Sequence, residues 1–332
     1  MARKQRNLSP ASMEARKLCE QWPGVASKTI AERLAKAHPL LYRSVEHARQ
    51  LVRWHRGERG KQCRKKVDKI IPTTKFQSPP TDAKPIAPYE FTTQGAGLLV
   101  ADLHLPYHDP GALDIAINYA ISHKTTDFLI LLGDTMDAYQ LSRFNKDPQA
   151  RSWPEEIAMT KALLAQLAGI FGVVVFKAGN HEVRYDDYMR MKAPALIGVP
   201  NFEYATVMGF EEIGAQYVNW NQVVHVGEHL TLLHGHEYGR SFFNPVNAAR
   251  GLFLRAKSCA VCAHQHSTSH HDEPNIRDVM LATWSIGCLC DLHPEYAPLN
   301  KWNHGFGTLH YNGGNDWDIA NYRIIDGKVR TG

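Results

Sequence analysis

A chain of 332 residues, 44% hydrophobic and 21% charged, has room for one large folded domain and a small one. No apolar stretch approaches the ~18 residues of a membrane helix, and the basic start MARKQRNLSP leads into no apolar segment, so neither a membrane span nor a secretory signal is expected. The net charge of +5 is unevenly spread: residues 1–66 hold 17 Lys+Arg against 5 Asp+Glu, a net +12, and residues 67–332 hold 21 against 28, a net −7.

Residues 9–57 predict three short helices. Ser9 and Pro10 start the first, which stops at Pro23-Gly24. Ser27 is placed to cap the second, in which Ile30 and Leu34 sit one turn apart before Pro39 ends it. Ser44 is placed to cap the third, VEHARQLVRWHR, which Gly57 ends. On it Val45, Ala48 and Val52 make an apolar stripe, and Arg49, Arg53 and Arg56 line another face. A basic third helix fits a helix-turn-helix unit that lays its last helix in a major groove, with the tail RGERGKQCRKK adding phosphate contacts. Small three-helix units also serve as protein docking modules, and a basic arm can be simply a solvated domain. The charge concentration favours a polyanion, so nucleic acid is the expected partner.

Residues 67–95 hold prolines at 72, 79, 80, 85 and 88 and predict a semi-extended linker. The expected organisation is therefore a basic helical domain at 1–66, a linker at 67–95 and a larger domain at 96–332. Within the last, GLLVADLH, DFLILLGD and GVVVFKAGNH are short buried strands, separated by helices that open at Asp109-Pro110 and Pro154. Five later runs, HLTLLHGH, SCAVCAHQH, DVMLATWSIG, GFGTLHYN and DIANYRIID, are strands with few helices between them. The expected class is α/β, with a second sheet packed on the first. Segment 185–227 is expected to hold a short helix and loops around a site.

Five clusters of metal-ligand-type residues follow apolar runs in this region. They are Asp102-Leu103-His104, Gly133-Asp134-Thr135-Met136-Asp137, Gly179-Asn180-His181-Glu182, His234-Gly235-His236 and His264-Gln265-His266. Each is expected at the end of a different strand, where a sheet brings distant ligands together at little conformational cost. Hard oxygens and borderline imidazoles suit two divalent ions about 4 Å apart, an arrangement fit for hydrolysing phosphate esters. The six cysteines, at 19, 63, 259, 262, 288 and 290, form no disulfide framework, and a reducing bacterial or phage-type cytoplasm is the simplest expectation. Cys259 and Cys262 are expected to be inert and on opposite faces of one strand. Cys288 and Cys290 are expected in the core or at an edge.

The ordered set resembles the calcineurin-like metallophosphoesterase family, whose pattern runs D-x-H, G-D-x-x-D, G-N-H-E/D, H-G or H-G-H, then G-H-x-H. The likeness spans roughly residues 96–310. It implies a four-layer α/β/β/α sandwich, here preceded by the small all-α three-helix domain. It implies that Asp102, His104 and His266 hold a first metal, that Asp134 bridges, and that Asn180, His234 and His264 hold a second. Mn²⁺ is the first choice for both ions, with Fe²⁺ or Zn²⁺ also suited. It further implies a metal-bridging hydroxide as nucleophile, His181 as the acid for the leaving oxygen, and Asp137 as the residue that orients His181. Nucleases of the family are often dimeric, so a homodimer is one expectation, although no interface is legible here.

Two positions depart from the family's pattern. Ala263 stands where glycine is usual in the last motif, and Ala138 stands where the protein phosphatases carry a phosphate-gripping arginine. Arg184 or Arg143 is a candidate for that cation. His236 and His304 are candidates for supporting or substrate roles, while Trp302 and its neighbours read as packing. The expected function is phosphodiester hydrolysis on nucleic acid by a nuclease. The alternatives are a phosphomonoesterase on nucleotides or phosphoproteins, and a DNA-binding regulator with a metal-binding scaffold domain.

Overall fold

A computed structural model describes residues 8–59, 77–147, 149–239 and 246–331. Cys63, the basic stretch 60–66 and the first part of the Pro-rich segment lie outside the described residues. The chain divides into two compact units, Met1–Ala83 and Lys84–Gly332.

The first unit contains helices α1 (Pro10–Gln21), α2 (Ser27–Ala37) and α3 (Val45–His55). Ser9 caps α1 through Ser12 N, and Ser44 caps α3 through His47 N. Ser27 does not cap α2: Ala26 holds that position, and the Ser27 hydroxyl instead bonds Glu58 at 2.8 Å. Ile30, Leu34, Ala48 and Val52 are fully buried in one cluster with Ala15 and Cys19. Burying a side chain such as Leu34 stabilises by about 1.5–3 kcal/mol. The expected stripe on α3 is shorter than Val45 would make it, because Val45 is 41% exposed. Two buried polar contacts tie the helices together: Ser12 Oγ to His55 Nε2 at 2.8 Å, and Tyr42 Oη donating to Ala11 O at 2.7 Å.

The second unit is a mixed α/β structure with two mixed sheets. Its strands are β1 (Tyr89–Phe91), β2 (Gly95–Val100), β3 (Phe128–Leu132), β4 (Val173–Lys177), β5 (Ala215–Val218), β6 (Val224–Val226), β7 (Leu230–Leu232), β8 (Cys259–Cys262), β9 (Ser269–Pro274), β10 (Met280–Ser285), β11 (Gly305–Gly313), β12 (Asp316–Ile325) and β13 (Lys328–Thr331). One sheet runs β13-β12-β11-β2-β3-β4-β5 and is parallel from β2 to β5. The other runs β1-β6-β7-β8-β10-β9. The linker reading therefore extends too far, because Tyr89–Phe91 pairs in parallel with β6 and Gly95 already begins β2. Segment 185–227 is also more regular than expected, since it contains β5 and β6.

Strand β3 shows how the sequence sets this packing. All five of its residues are buried. Leu129 and Leu131 join a cluster with residues of helices α4 (Pro110–His123) and α5 (Trp153–Ala168). Phe128, Ile130 and Leu132 join a second cluster with Val224, Leu232 and Val261 of the other sheet. Alternation along a strand sends neighbours to opposite faces, and both faces here are covered. The CxxC follows the same rule. Cys259 lies in the cluster between the sheets, and Cys262 packs with Leu252 of helix α9 (Ala248–Ala256). Between β4 and β5 the chain forms α6 (Val183–Lys192), α7 (Tyr204–Met208) and α8 (Phe210–Ile213). No helix among the described residues is long and apolar enough to cross a membrane.

Candidate metal centre

The five clusters follow β2, β3, β4, β7 and β8, and their side chains converge. Asp102, His104, Asp134, His234 and His266 are all buried. Asp102, His104, Asp134, His264 and His266 take φ between 49° and 68°, the left-handed region that non-glycine residues seldom occupy. Strain of this kind gathers at sites where the surroundings over-determine it. The glycines before two ligands have a steric reason. A Cβ on Gly133 would lie 2.5 Å from His234 Nδ1, and one on Gly179 would lie 2.3 Å from Asp134 Oδ1. Ala263 makes no such conflict, since its methyl group is buried in the core between the sheets.

The donor atoms have the spacing of ligands around an ion. His104 Nε2 and His266 Nε2 are 3.2 Å apart, and Asp102 Oδ1 is 3.4 Å from His266 Nε2. His234 Nε2 is 3.1 Å from both Asp134 Oδ2 and Asn180 Oδ1. Neighbouring donors on an ion with bonds of about 2.1 Å lie about 3.0–3.4 Å apart. Asp134, His234 and His264 form one group of converging ligand atoms, and His104, Asp134 and His181 form another. Buried His/Asp groups here can thus hold metal ions. Asp102 Oδ1 decides the fit: it is a fully buried carboxylate oxygen without a hydrogen-bond partner, while Oδ2 accepts from His264 N at 2.9 Å. A charge left that way is costly unless a cation lies beside it.

Hydrogen bonds fix the imidazoles. His234 Nδ1 faces Leu132 O at 2.8 Å, so it carries the proton and leaves Nε2 as the ligand atom. His104 Nδ1 faces Asp137 Oδ1 at 3.3 Å with the same effect. Burial raises the Asp134 carboxyl, but the His234 and His181 rings outweigh it and hold the group well below the usual range. Burial and the neighbouring His234 ring push His264 down to about 4. Burial of His234 and His266 is instead outweighed by the Asp134 and Asp102 carboxylates, which raise His234 to about 10 and His266 above the usual imidazole range. A bound cation would displace those protons.

His181 sits at the edge of the same cluster. Its Nδ1 lies 2.9 Å from Asp137 O and 3.1 Å from Asp137 Oδ1, and its Nε2 lies 3.8 Å from Asp134 Oδ2. Burial lowers its proton affinity, yet the Asp134 and Asp137 carboxylates raise it by more. Arg184 is the cation found here, with Nη1 donating to Asp137 O at 2.6 Å and Nη2 3.1 Å from His181 Nε2. Arg143 is 73% exposed and pairs with Asp187 at 3.5 Å instead.

No family profile matches the chain. Two phage proteins do. Over 176 residues the chain is 26% identical to the Gene 54 protein of Mycobacterium phage L5, covering 51% of this chain and 68% of that protein. Over 229 residues it is 25% identical to the Gene 54 protein of Mycobacterium phage D29, covering 65% of this chain and 89% of that protein. Neither name states an activity.

Two acidic residues that hold the site are missed by reading ligand motifs alone. Glu182 accepts from Asp134 N at 3.1 Å, Met136 N at 3.0 Å and Gly179 N at 2.7 Å, and so clamps two ligand loops together. Glu237 accepts from His234 N at 3.2 Å and Gly235 N at 2.6 Å, and pairs with the fully buried Lys177 at 3.0 Å. Both follow a histidine directly, as His181-Glu182 and His236-Glu237, and that repeat is the signal they leave in the sequence. His304 Nε2 donates to Cys290 O at 2.9 Å, and Trp302 meets the His266 ring edge-on at 4.2 Å. Burial lowers His236 to about 4, and neither ring nitrogen has a hydrogen-bond partner.

On α3 the three arginines separate. Arg49 pairs with Glu46 at 3.5 Å and Arg53 with Glu58 at 3.3 Å, all on the surface. Arg56 turns inward and donates to Trp22 O at 2.7 Å and Ser27 Oγ at 3.2 Å. It ties α3 to the turn between α1 and α2 and does not share a presented face with the other two.

Proposed function

We propose that this chain is a metal-dependent phosphoesterase of the calcineurin-like kind, with two divalent ions and a four-layer α/β/β/α domain, acting as a phosphodiesterase on nucleic acid. The observation that carries this reading is the fully buried Asp102 Oδ1, which has no hydrogen bond and lies among converging imidazole nitrogens, the nearest His266 Nε2 at 3.4 Å. The three apolar clusters, on the outer face of each sheet and between the sheets, support the layering.

Asp102, His104 and His266 would hold one ion, Asn180, His234 and His264 the other, and Asp134 would serve both. The donor set is oxygen and imidazole, suited to Mn²⁺ first and to Fe²⁺ or Zn²⁺. When bound, two such ions supply Lewis acidity and water activated at neutral pH. The chain does the rest. Arg184 offers guanidinium donors to a phosphate oxygen at the edge of the site. His181 would protonate the leaving oxygen through Nε2 once Arg184, which here donates to that nitrogen at 3.1 Å, has turned to the phosphate. Asp137, bonded to the far nitrogen, keeps the ring in that orientation and stabilises its charged form.

The net +12 of residues 1–66 and the half-buried Arg49 and Arg53 at the surface of α3 support a nucleic acid as the polymer being cut. The test is Mn²⁺-dependent hydrolysis of bis(p-nitrophenyl) phosphate and of p-nitrophenyl phosphate, with Asp134→Asn as the blank. Turnover mainly of the diester, lost in the variant, is expected, followed by cleavage of DNA or RNA. Turnover of the monoester alone would make the protein a phosphatase, and none at all would leave a metal-binding scaffold.

A further inference from the structure

The sequence places no cysteine among the ligands, but the fold brings one to them. Cys290 is 3% exposed and its Sγ lies 3.8 Å from His266 Nδ1. His104, His266 and Cys290 form a group whose ligand atoms all lie within 4.8 Å of one another. The unpartnered, fully buried Asp102 Oδ1 borders the same group, 3.4 Å from His266 Nε2. We propose that Cys290 is a sulfur ligand of the ion on the His104–His266 side, giving that site one soft donor that its partner site lacks. This rests on the two-ion reading above.

The position of Cys290 is set by backbone, not by chance packing. Leu289 N donates to Asp102 O at 3.2 Å, Asp109 N donates to Leu289 O at 2.8 Å, and Asp291 N donates to Tyr107 O at 2.8 Å. The thiol therefore rides on a segment fastened to the loop that carries Asp102 and His104. His304 holds its carbonyl from the other side at 2.9 Å. Gly287 lets the backbone at 303–305 pass close beside this segment, because a Cβ there would lie 2.5 Å from Asn303 O. A thiol that coordinates a divalent cation gives up its proton to do so. Thiolate selects zinc or iron over magnesium or calcium, so the two sites would differ in which ion they prefer.

The experiment is cobalt substitution of the full chain, read by absorption and by counting bound ions. Two Co²⁺ per chain with a near-ultraviolet thiolate-to-cobalt band are expected, and the band should persist in Cys288→Ser and vanish in Cys290→Ser. Two bound Co²⁺ without the band would overturn the sulfur ligand and leave the two-ion centre intact. No bound Co²⁺ would overturn both. If Cys290→Ser fails to fold, X-ray absorption of the zinc-loaded wild-type protein decides instead. A sulfur shell at about 2.3 Å supports the assignment, and a nitrogen–oxygen shell alone rejects it.

Discussion

The Oδ1 atom of Asp137 lies 3.1 Å from His181 Nδ1, and the same oxygen is 3.3 Å from His104 Nδ1. One carboxylate thus orients both a proposed metal ligand and the proposed acid. Burial raises the Asp137 carboxyl, but its hydrogen bonds to His104 and His181 win and keep it ionised. Replacing such a supporting partner typically costs about 10- to 100-fold in metal affinity or activity. Asp137→Asn should therefore weaken one Mn²⁺ site and slow turnover together, whereas His181→Gln should slow turnover with both Mn²⁺ affinities unchanged. Calorimetric Mn²⁺ titration alongside steady-state kinetics separates the two. Unaltered Mn²⁺ binding in Asp137→Asn would refute the shared role.

Arg184 holds its guanidinium 2.6 Å from Asp137 O and 3.1 Å from His181 Nε2. A hydrogen bond to a charged group contributes about 1.5–3 kcal/mol, or about 10- to 100-fold. Arg184→Gln should raise KM for phosphodiesters by that factor. Arg143→Gln, in an ion pair with Asp187 away from His181, should leave KM where it was. Equal effects from the two variants would remove Arg184 from the site.

Much of this architecture is legible in the sequence. The strands that precede ligands are short apolar runs, and Pro110 and Pro154 mark helix starts because proline fits the first turn. Two of the three-residue strands are not legible, whereas β7, equally short, sits in the longer apolar run HLTLLHGH. β1 and β6 span three residues each, YEF and VHV, too short for alternation to register. Supporting residues are also hidden. Glu182 acts through three backbone N–H groups, so nothing but its place directly after His181 marks it in the sequence. Arg56 shares its helical spacing with Arg49 and Arg53, and only the turn at Trp22 draws it inward.

Glu156 gives the fold a dependence on pH. It is 1% exposed and bonded to Ala138 N, and burial raises its carboxyl to about 7. The unfolded group titrates near 4.5, so between those values the folded protein holds a proton that the unfolded chain has lost. Stability from this group is accordingly full below pH ~4.5 and falls as pH rises towards ~7, by about 3 kcal/mol in all. Glu156→Gln keeps an acceptor for Ala138 N and removes the titration. Its Tm should exceed wild type above pH ~7, and the gap should close on acidification to pH ~5. A gap independent of pH would show that Glu156 does not titrate in this range.

The inward turn of Arg56 makes a distinction within α3. Arg49 and Arg53 sit in exposed ion pairs, which contribute little to stability and exchange readily for a phosphate. Arg49→Ala or Arg53→Ala should weaken DNA binding and reduce the slope of log affinity against log salt by about 0.9 for each phosphate no longer neutralised. Neither should alter protection of the amides in α1–α3. Arg56→Ala removes donors to Trp22 O and Ser27 Oγ, and should lower amide protection across all three helices by about 1.5–3 kcal/mol. Hydrogen exchange and salt-dependent binding on the full chain test both halves. If Arg56→Ala keeps its protection and loses only salt slope, Arg56 is a phosphate ligand after all and the inward pairing is not what holds it.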